Sequence, residues 1–276
     1  MHDVRHTIGA MLDRAMRNRS HPFDVADWQA SAVIIAPHPD DETLGCGGVA
    51  SKKFSSGADV RFIFVTDGSA SHANWIDREA LRIAREGEAI EAVCRLGGSA
   101  DRVRFLRVPD GMAKHHTGRI AEAIAELLFV WQPQSVFVTH AKEPPADHVA
   151  TNLGARGALQ LYGRRVTVFE YPVWYWYQWP WVRLHDRVLG FNRTALRQTV
   201  RTLAGLRSVK MFNSHAFIGD VIDVKRHALA AHRSQMERPA GLDDWPILAD
   251  VGGGDLLNRL LSEHEMFTRY ELNART

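Results

Sequence analysis

The chain has 276 residues, 45% of them hydrophobic and 24% charged, with 34 Lys+Arg against 32 Asp+Glu. This length supports one large core or two small ones, and the composition excludes wholesale disorder and collagen-like or low-complexity architectures. A formal net charge of +2 excludes a whole-molecule polyelectrolyte binder, so nucleic acid is not an expected partner. Cys46 and Cys94 cannot make a disulfide framework; they read as two small buried thiols in a reducing, cytoplasmic setting. No stretch approaches the ~18 consecutive apolar residues of a membrane-spanning helix.

Val4, Ile8, Met11, Leu12 and Ala15 fall at helical spacing and predict an N-terminal amphipathic surface helix. From Ser31 to about Tyr171, short apolar runs alternate with helical patterns. Ala32–Ala36, Val60–Val65 and Ser135–Val138 read as buried parallel strands, and Val103–Leu106 and Val166–Phe169 as weaker ones. Helical patterns cover Leu44–Ser55, Arg78–Leu96, Ile120–Trp131 and His148–Leu161. Gly57 and Gly97 end two of them and Pro133 follows a third. The alternation predicts an α/β fold, a Rossmann-like three-layer sandwich with a mostly parallel central sheet. The C-terminal third predicts an Arg-rich helix near 185–205, a strand near 217–222, a helix from about Val224 to Gln235 and another near 255–266. No repeat or linker divides the chain, so a single domain spanning 1–276 is expected.

The first strand is followed by Ala36-Pro37-His38-Pro39-Asp40-Asp41-Glu42. Ligands of open α/β sheets collect beyond the carboxyl ends of strands. An imidazole and a carboxylate three residues on can face one ion across a tight turn, leaving Asp40 free for proton transfer. After the strand at 135–139, Pro144-Pro145-Ala146-Asp147-His148 leads into a helix on the same sheet edge. His38, Asp41 and His148 thus make a two-histidine, one-carboxylate set with an open position, as in catalytic zinc sites. The same residues also read as a polar loop with an acidic helix N-terminus, favoured by the helix dipole. The chain has 14 histidines, so any one of them is weak evidence for a ligand.

Ala36-Pro37-His38-Pro39-Asp40-Asp41-Glu42 resembles the H-P-D-D-E signature of the LmbE/PIG-L family of metal-dependent de-N-acetylases, and Asp147-His148 resembles its later D-H element. Thr66-Asp67-Gly68, Arg85-Glu86-Gly87-Glu88, Leu96-Gly97, Pro109-Asp110-Gly111-Met112 and the segment from Lys225 to Gln235 match in family order. The resemblance covers about 31–235. The N-terminal helix and a C-terminal helical extension are then expected to pack on this core. The resemblance implies that His38, Asp41 and His148 hold Zn2+, or another divalent metal such as Fe2+. It makes Asp40 the general base, Asp147 an orienting group, and Arg85 and Asp110 contacts for substrate hydroxyls or linked groups. The implied reaction is hydrolysis of an N-acetylated amino sugar conjugate, GlcNAc-like. Family members use a histidine three residues before the last ligand; here that position is Pro145. His232 is the first substitute and His140 the second.

Each assignment has a plainer alternative. Arg85 could pair with Glu88 on an exposed helix face, Asp110 could be a turn residue before Gly111, and Asp147 a surface turn residue. His232 could be a helix-face histidine paired with a carboxylate. Gly45-Cys46-Gly47-Gly48 is explained better by close helix–sheet packing than by phosphate binding. Residues 171–181, Y-P-V-W-Y-W-Y-Q-W-P-W, fit a core or oligomer contact first, a sugar-stacking wall second and membrane contact third. Arg183, Arg187, Arg193, Arg197, Arg201, Arg207 and Lys210 follow. They read as a solvated face, or as a patch for phosphate or an anionic membrane. A homo-oligomer stays open. The alternative to the deacetylase is a family relative that binds a glycoconjugate or another N-acyl compound without this catalysis. An Fe(II) oxygenase is discounted because strand–helix alternation gives no β-sandwich.

Overall fold

The computed structural model describes residues 4–186 and 190–274. Eight strands form the main sheet: β1 (His21–Pro22), β2 (Ala32–Ala36), β3 (Val60–Thr66), β4 (Val103–Val108), β5 (Ser135–Thr139), β6 (Val166–Tyr171), β9 (Ser214–Phe217) and β10 (His264–Leu272). A separate two-stranded pair joins β7 (His185–Asp186) to β8 (Gly190–Phe191). The main sheet runs β1-β9-β10-β6-β5-β2-β3-β4. Neighbours from β6 to β4 are parallel, and β10 runs antiparallel to both β6 and β9.

Alternation along the strands divides the core into two faces. Val33, Ile35, Ile63, Val65, Val136 and Val138 face one way, against α5 (Thr117–Trp131) and α6 (Ala146–Tyr162). Ile34, Phe62, Phe64, Phe137, Phe169 and Tyr171 face the other, where α3 (Asp41–Ser55) and α4 (Arg78–Arg95) contribute Leu44, Val49, Ala89 and Val93. Burial on both sides makes these strands read as continuous apolar runs. The observed architecture is the expected three-layer α/β sandwich with helices on each face of a mostly parallel sheet.

The remaining helices are α1 (Val4–Arg19), α2 (Val25–Gln29), α7 (Arg193–Arg201), α8 (Ser208–Met211), α9 (Ile222–Leu229), α10 (Arg233–Met236) and α11 (Asp255–Leu260). No helix among the described residues is long and apolar enough to cross a membrane. The C-terminal third departs from expectation. The Arg-rich helix is confined to 193–201, and the strand lies at 214–217 rather than 217–222. The helix expected from Val224 to Gln235 is broken between Leu229 and Arg233, with His232 at the break. The helix expected over 255–266 stops at Leu260, and β10 follows. Its polar text, His264-Glu265-Met266-Phe267-Thr268-Arg269, hides a strand because the charges find distant partners. Glu265 meets Lys225 and the backbone of α3, and Arg269 meets Asp27.

Two smaller corrections concern burial. Cys46 is buried, but Cys94 is exposed. On α1, Leu12 and Met16 turn inward while Val4 and Met11 are exposed. Arg5 goes in instead, donating to Asp255 and to the carbonyls of Pro180 and Trp181. Arg187 lies outside the described residues.

Candidate metal centre

The chain runs β2, β3, β4 to one side, then returns to place β5 on the other side of β2. The reversal between β2 and β5 is the switch point at which open α/β sheets collect ligands. The loop after β2 carries His38 and Asp40, and Asp41 opens α3; the loop and helix after β5 carry Glu143, Pro145, Asp147 and His148. A cavity of about 340 Å3 opens there, lined among others by His38, Asp40, Asp41, Arg85, Asp110, Pro145, His148, Trp174 and Gln235.

Asp41 Oδ2 lies 3.2 Å from His38 Nδ1 and 3.2 Å from His148 Nε2. The ligand atoms of the three residues lie within 4.8 Å of one another. A second such group, His38, Asp110 and Asp147, shares the other nitrogen of His38. The carboxylates of that second group are already engaged: Asp147 accepts from the N–H of Gly111 and Ala113, and Asp110 from that of Ala70. They fit the outer side of His38, 3.2 and 3.5 Å from Nε2, and steady its ring from behind.

His148 has an equivalent support. Its Nδ1 lies 3.2 Å from Glu143 Oε2. Glu143 is buried and accepts the N–H groups of Val173, Trp174 and Tyr175 at 3.0, 2.8 and 2.9 Å. Neither ring nitrogen of buried His148 makes a hydrogen bond, although carboxylate oxygens lie beside both. Together with the donor set, two imidazoles and one carboxylate, this fits a divalent cation held by His38, Asp41 and His148.

The electrostatics agree. Burial works against charge on His148, yet Asp41 and Glu143 hold its pKa up at about 9. His38 is raised too, its three carboxylates outweighing burial. Asp41 is held well below the usual carboxylate range by His148 and His38 in spite of burial, and Asp110 likewise by His38. Such a carboxylate-rich pocket draws cations, and a metal displaces the protons from its imidazoles.

Asp40 caps α3 at φ 138°, ψ −32°, a conformation L-residues rarely adopt. Its N–H donates to Glu42 Oε2 at 2.9 Å, and its Oδ2 accepts from Arg85 Nη2 at 3.1 Å. Arg85 is buried, not an exposed partner of Glu88; it also donates to the carbonyls of Pro39 and Gly68 and to Ser71 Oγ. Burial pushes the Asp40 carboxyl up and Arg85 restrains it, leaving a pKa of about 6.

The sequence placed His38, Asp40, Asp41, Arg85, Asp110, Asp147 and His148 at one site, and the structure brings all seven together. His232 is different. It is fully buried, bonded through Nε2 to Glu42 Oε1 at 2.9 Å, and does not line the cavity. Glu42 links it to Asp40, whose N–H the other Glu42 oxygen accepts. His140 is also buried outside the lining, between Tyr175 and Phe212. Neither lines the cavity to which Pro145 belongs. Glu143 was missed; its only sequence signal is a lone acid two residues before Pro145. The aromatic segment is mostly core: Tyr171, Tyr175, Trp176 and Trp181 are buried, and Trp174 alone of its residues lines the cavity.

A three-layer α/β sandwich with a His–Asp–His cluster at its switch point defines an α/β protein with a candidate metal site. Residues 33–159 match the family model described as PIG-L, GlcNAc-PI de-N-acetylase. Over these residues the chain is similar to the PIG-L, LmbE-like, de-N-acetylase family. A curated relative, 1D-myo-inositol 2-acetamido-2-deoxy-alpha-D-glucopyranoside deacetylase of Kineococcus radiotolerans, is 30% identical over 99 residues, 34% of this chain. The match spans 27% of that relative's length. Among solved structures, N,N'-diacetylchitobiose deacetylase from Pyrococcus horikoshii is similar with a TM-score of 0.62 and 18% identity, over 98% of this chain and 94% of that one. The 4-carboxy-2-hydroxymuconate hydratase of Pseudomonas putida KT2440 shares the fold with a TM-score of 0.52 and 15% identity, over 90% and 98% of the two chains. At these identities the structural likeness is one of fold, and the fold carries more than one chemistry.

Proposed function

We propose that this chain is a metal-dependent hydrolase that removes the acetyl group from an N-acetylated amino sugar, GlcNAc-like and joined to a larger group. The observation that carries the reading is the cradle of His38, Asp41 and His148 with the Asp40 carboxylate in the same cavity. The family match over 33–159 and the deacetylase names of its relatives support the choice of an N-acetyl amide. His38, Asp41 and His148 would hold a divalent cation, zinc for preference, which would supply the Lewis acidity that polarises an amide carbonyl and activates water near neutral pH.

The chain's own residues do the rest. Asp40 takes the proton from the attacking water and returns it to the leaving amine. A carboxyl near pH 6 is mostly ionised at neutral pH, yet basic enough to carry a proton. Arg85 holds Oδ2 of Asp40 and the Pro39 carbonyl, leaving Oδ1 for the reacting groups. Asp147 and Asp110 steady His38, and Glu143 steadies His148. Arg85 and Asp110 face the cavity where sugar hydroxyls would lie, and Trp174 and Leu248 give it an apolar wall. His232 supports Asp40 through Glu42 instead of stabilising an oxyanion.

A second reading, a relative that binds a glycoconjugate or other N-acyl compound without this turnover, is favoured by Pro145 on the cavity wall where the family's histidine is expected. The test is acetate release from free, UDP-linked, inositol-linked and polyprenyl-phosphate-linked N-acetylglucosamine, with metal-loaded protein. Acetate from one conjugate, cut about 10^2–10^4-fold in Asp40→Asn with metal binding kept, is the expected outcome. Metal binding without acetate from any member of the panel would favour the second reading.

A further inference from the structure

The helix α7 is packed the wrong way round for a surface helix. It buries Ala195 and Gln198, while Leu196 and Val200 are exposed, Val200 at 67%. An ordinary surface helix turns its larger apolar residues inward. The turn after it continues the pattern: Leu203 and Leu206 are 54% and 62% exposed. Exposed Arg193, Arg197 and Arg201 share this helix, with Arg207 and Lys210 just beyond. No acidic residue occurs anywhere from 187 to 219.

The neighbouring helix α1 buries Leu12 and Met16 but adds an exposed apolar residue to this side. The 202–206 turn sits against α1: a Cβ on Gly205 would come within 3.0 Å of Leu12 and 2.7 Å of Trp181. Beside Leu12, Met11 is 66% exposed, and exposed Arg14 lies three residues on. Two packed segments thus expose apolar side chains among arginines.

We infer that α7, the turn after it and the exposed side of α1 form a docking surface for an anionic lipid bilayer. Apolar side chains at this height enter the headgroup–acyl boundary, and arginines around them meet lipid phosphates. The positive charge of the 193–210 segment, which contains no acid, decides the occupant. In a two-fold contact between copies about α7, Arg193, Arg197 and Arg201 would meet their own like charges, with no acid in their own segment from 187 to 219 to offset them. A neutral protein surface would leave five cations unmatched.

The test is co-sedimentation of the full chain with vesicles of phosphatidylcholine alone or with about 30% phosphatidylglycerol. The expected result is at least tenfold stronger partition into the anionic vesicles, weakened at high salt. The triple variant Arg193→Glu, Arg197→Glu, Arg201→Glu abolishes this binding. The variant Val200→Ser, Leu203→Ser, Leu206→Ser weakens it several-fold at unchanged charge. All six side chains are exposed, so circular dichroism and metal binding stay as in the parent. Equal or absent binding to the two vesicle types overturns the inference. So does loss with the glutamates but not the serines, which points to a soluble polyanion. A change of oligomeric state in either variant by sedimentation velocity assigns the face to self-association instead.

Discussion

Asp40 is held at φ 138°, a conformation costing about 1–3 kcal/mol. The cost is offset locally: Glu42 takes its N–H, and Arg85 bonds both its carboxylate and the preceding carbonyl. The strain places Asp40 beside the His38–Asp41 turn but outside the candidate ligand cluster, the separation of roles that the proposed general-base chemistry needs. Glu143 does comparable work for His148 while tying down the backbone that carries Trp174. Replacing Glu143 by Gln keeps the shape but removes the charge facing His148 Nδ1. Metal affinity measured by competition with a chromogenic chelator should fall about 10–100-fold. An unchanged affinity would assign Glu143 to the 173–175 backbone alone. His38, Asp41 and His148 were legible because their residue types and a strand end announced them. Glu143 was not, since its partners lie five residues on and at 173–175.

At the scale of elements, α3 shows how close packing sets the site. Gly45 and Gly48 face Tyr171 and Ile218; a Cβ on Gly45 would lie 2.2 Å from the Tyr171 ring, and one on Gly48 2.6 Å from Ile218. The glycines let the helix approach β6 and the end of β9, as the close-packing reading expected. Gly45→Ala should destabilise by about 1–3 kcal/mol through overpacking, seen as a lower urea midpoint at unchanged slope. The strand β10 was not read, and its first three residues were included in a helix near 255–266, because its charges look solvent-facing; burying Glu265 needs Lys225 and two α3 amides from far along the chain. At its start, burial with Arg17 and His215 nearby pushes His264 down to about 4. The unfolded imidazole binds its proton near 6.5. Between these values the unfolded state holds more protons, so stability present above 6.5 is lost as pH falls towards 4. The urea midpoint should drop between pH 7 and 4.5, and His264→Gln should flatten that drop.

Across the whole molecule, the cradle joins two halves of the sheet. His38 and Asp41 follow β2, His148 follows β5, and the strands β3 and β4 lie between them in the chain. A cation held there clamps the switch point and stabilises the folded state alone. Thermal unfolding should therefore shift upward with added Zn2+ or Fe2+, by about 4 kcal/mol at a thousandfold excess over Kd, and return with a chelator. A midpoint indifferent to metal would remove the cradle from the function.

What the sequence determined by itself was local and periodic: the apolar runs of β2, β3 and β5, the helices α3 to α6, the α/β class, and the residue types of the cradle. These depend on neighbours within a few turns, where side-chain periodity and turn chemistry act directly. The tertiary structure alone decided the rest. It inserted β10 antiparallel between β6 and β9, broke the helix at His232 and buried that histidine against Glu42. It set Glu143 behind His148, and it left Val200, Leu203 and Leu206 facing outward. Each of these depends on partners distant in the chain, whose burial and charge compensation exist only once the chain has closed on itself.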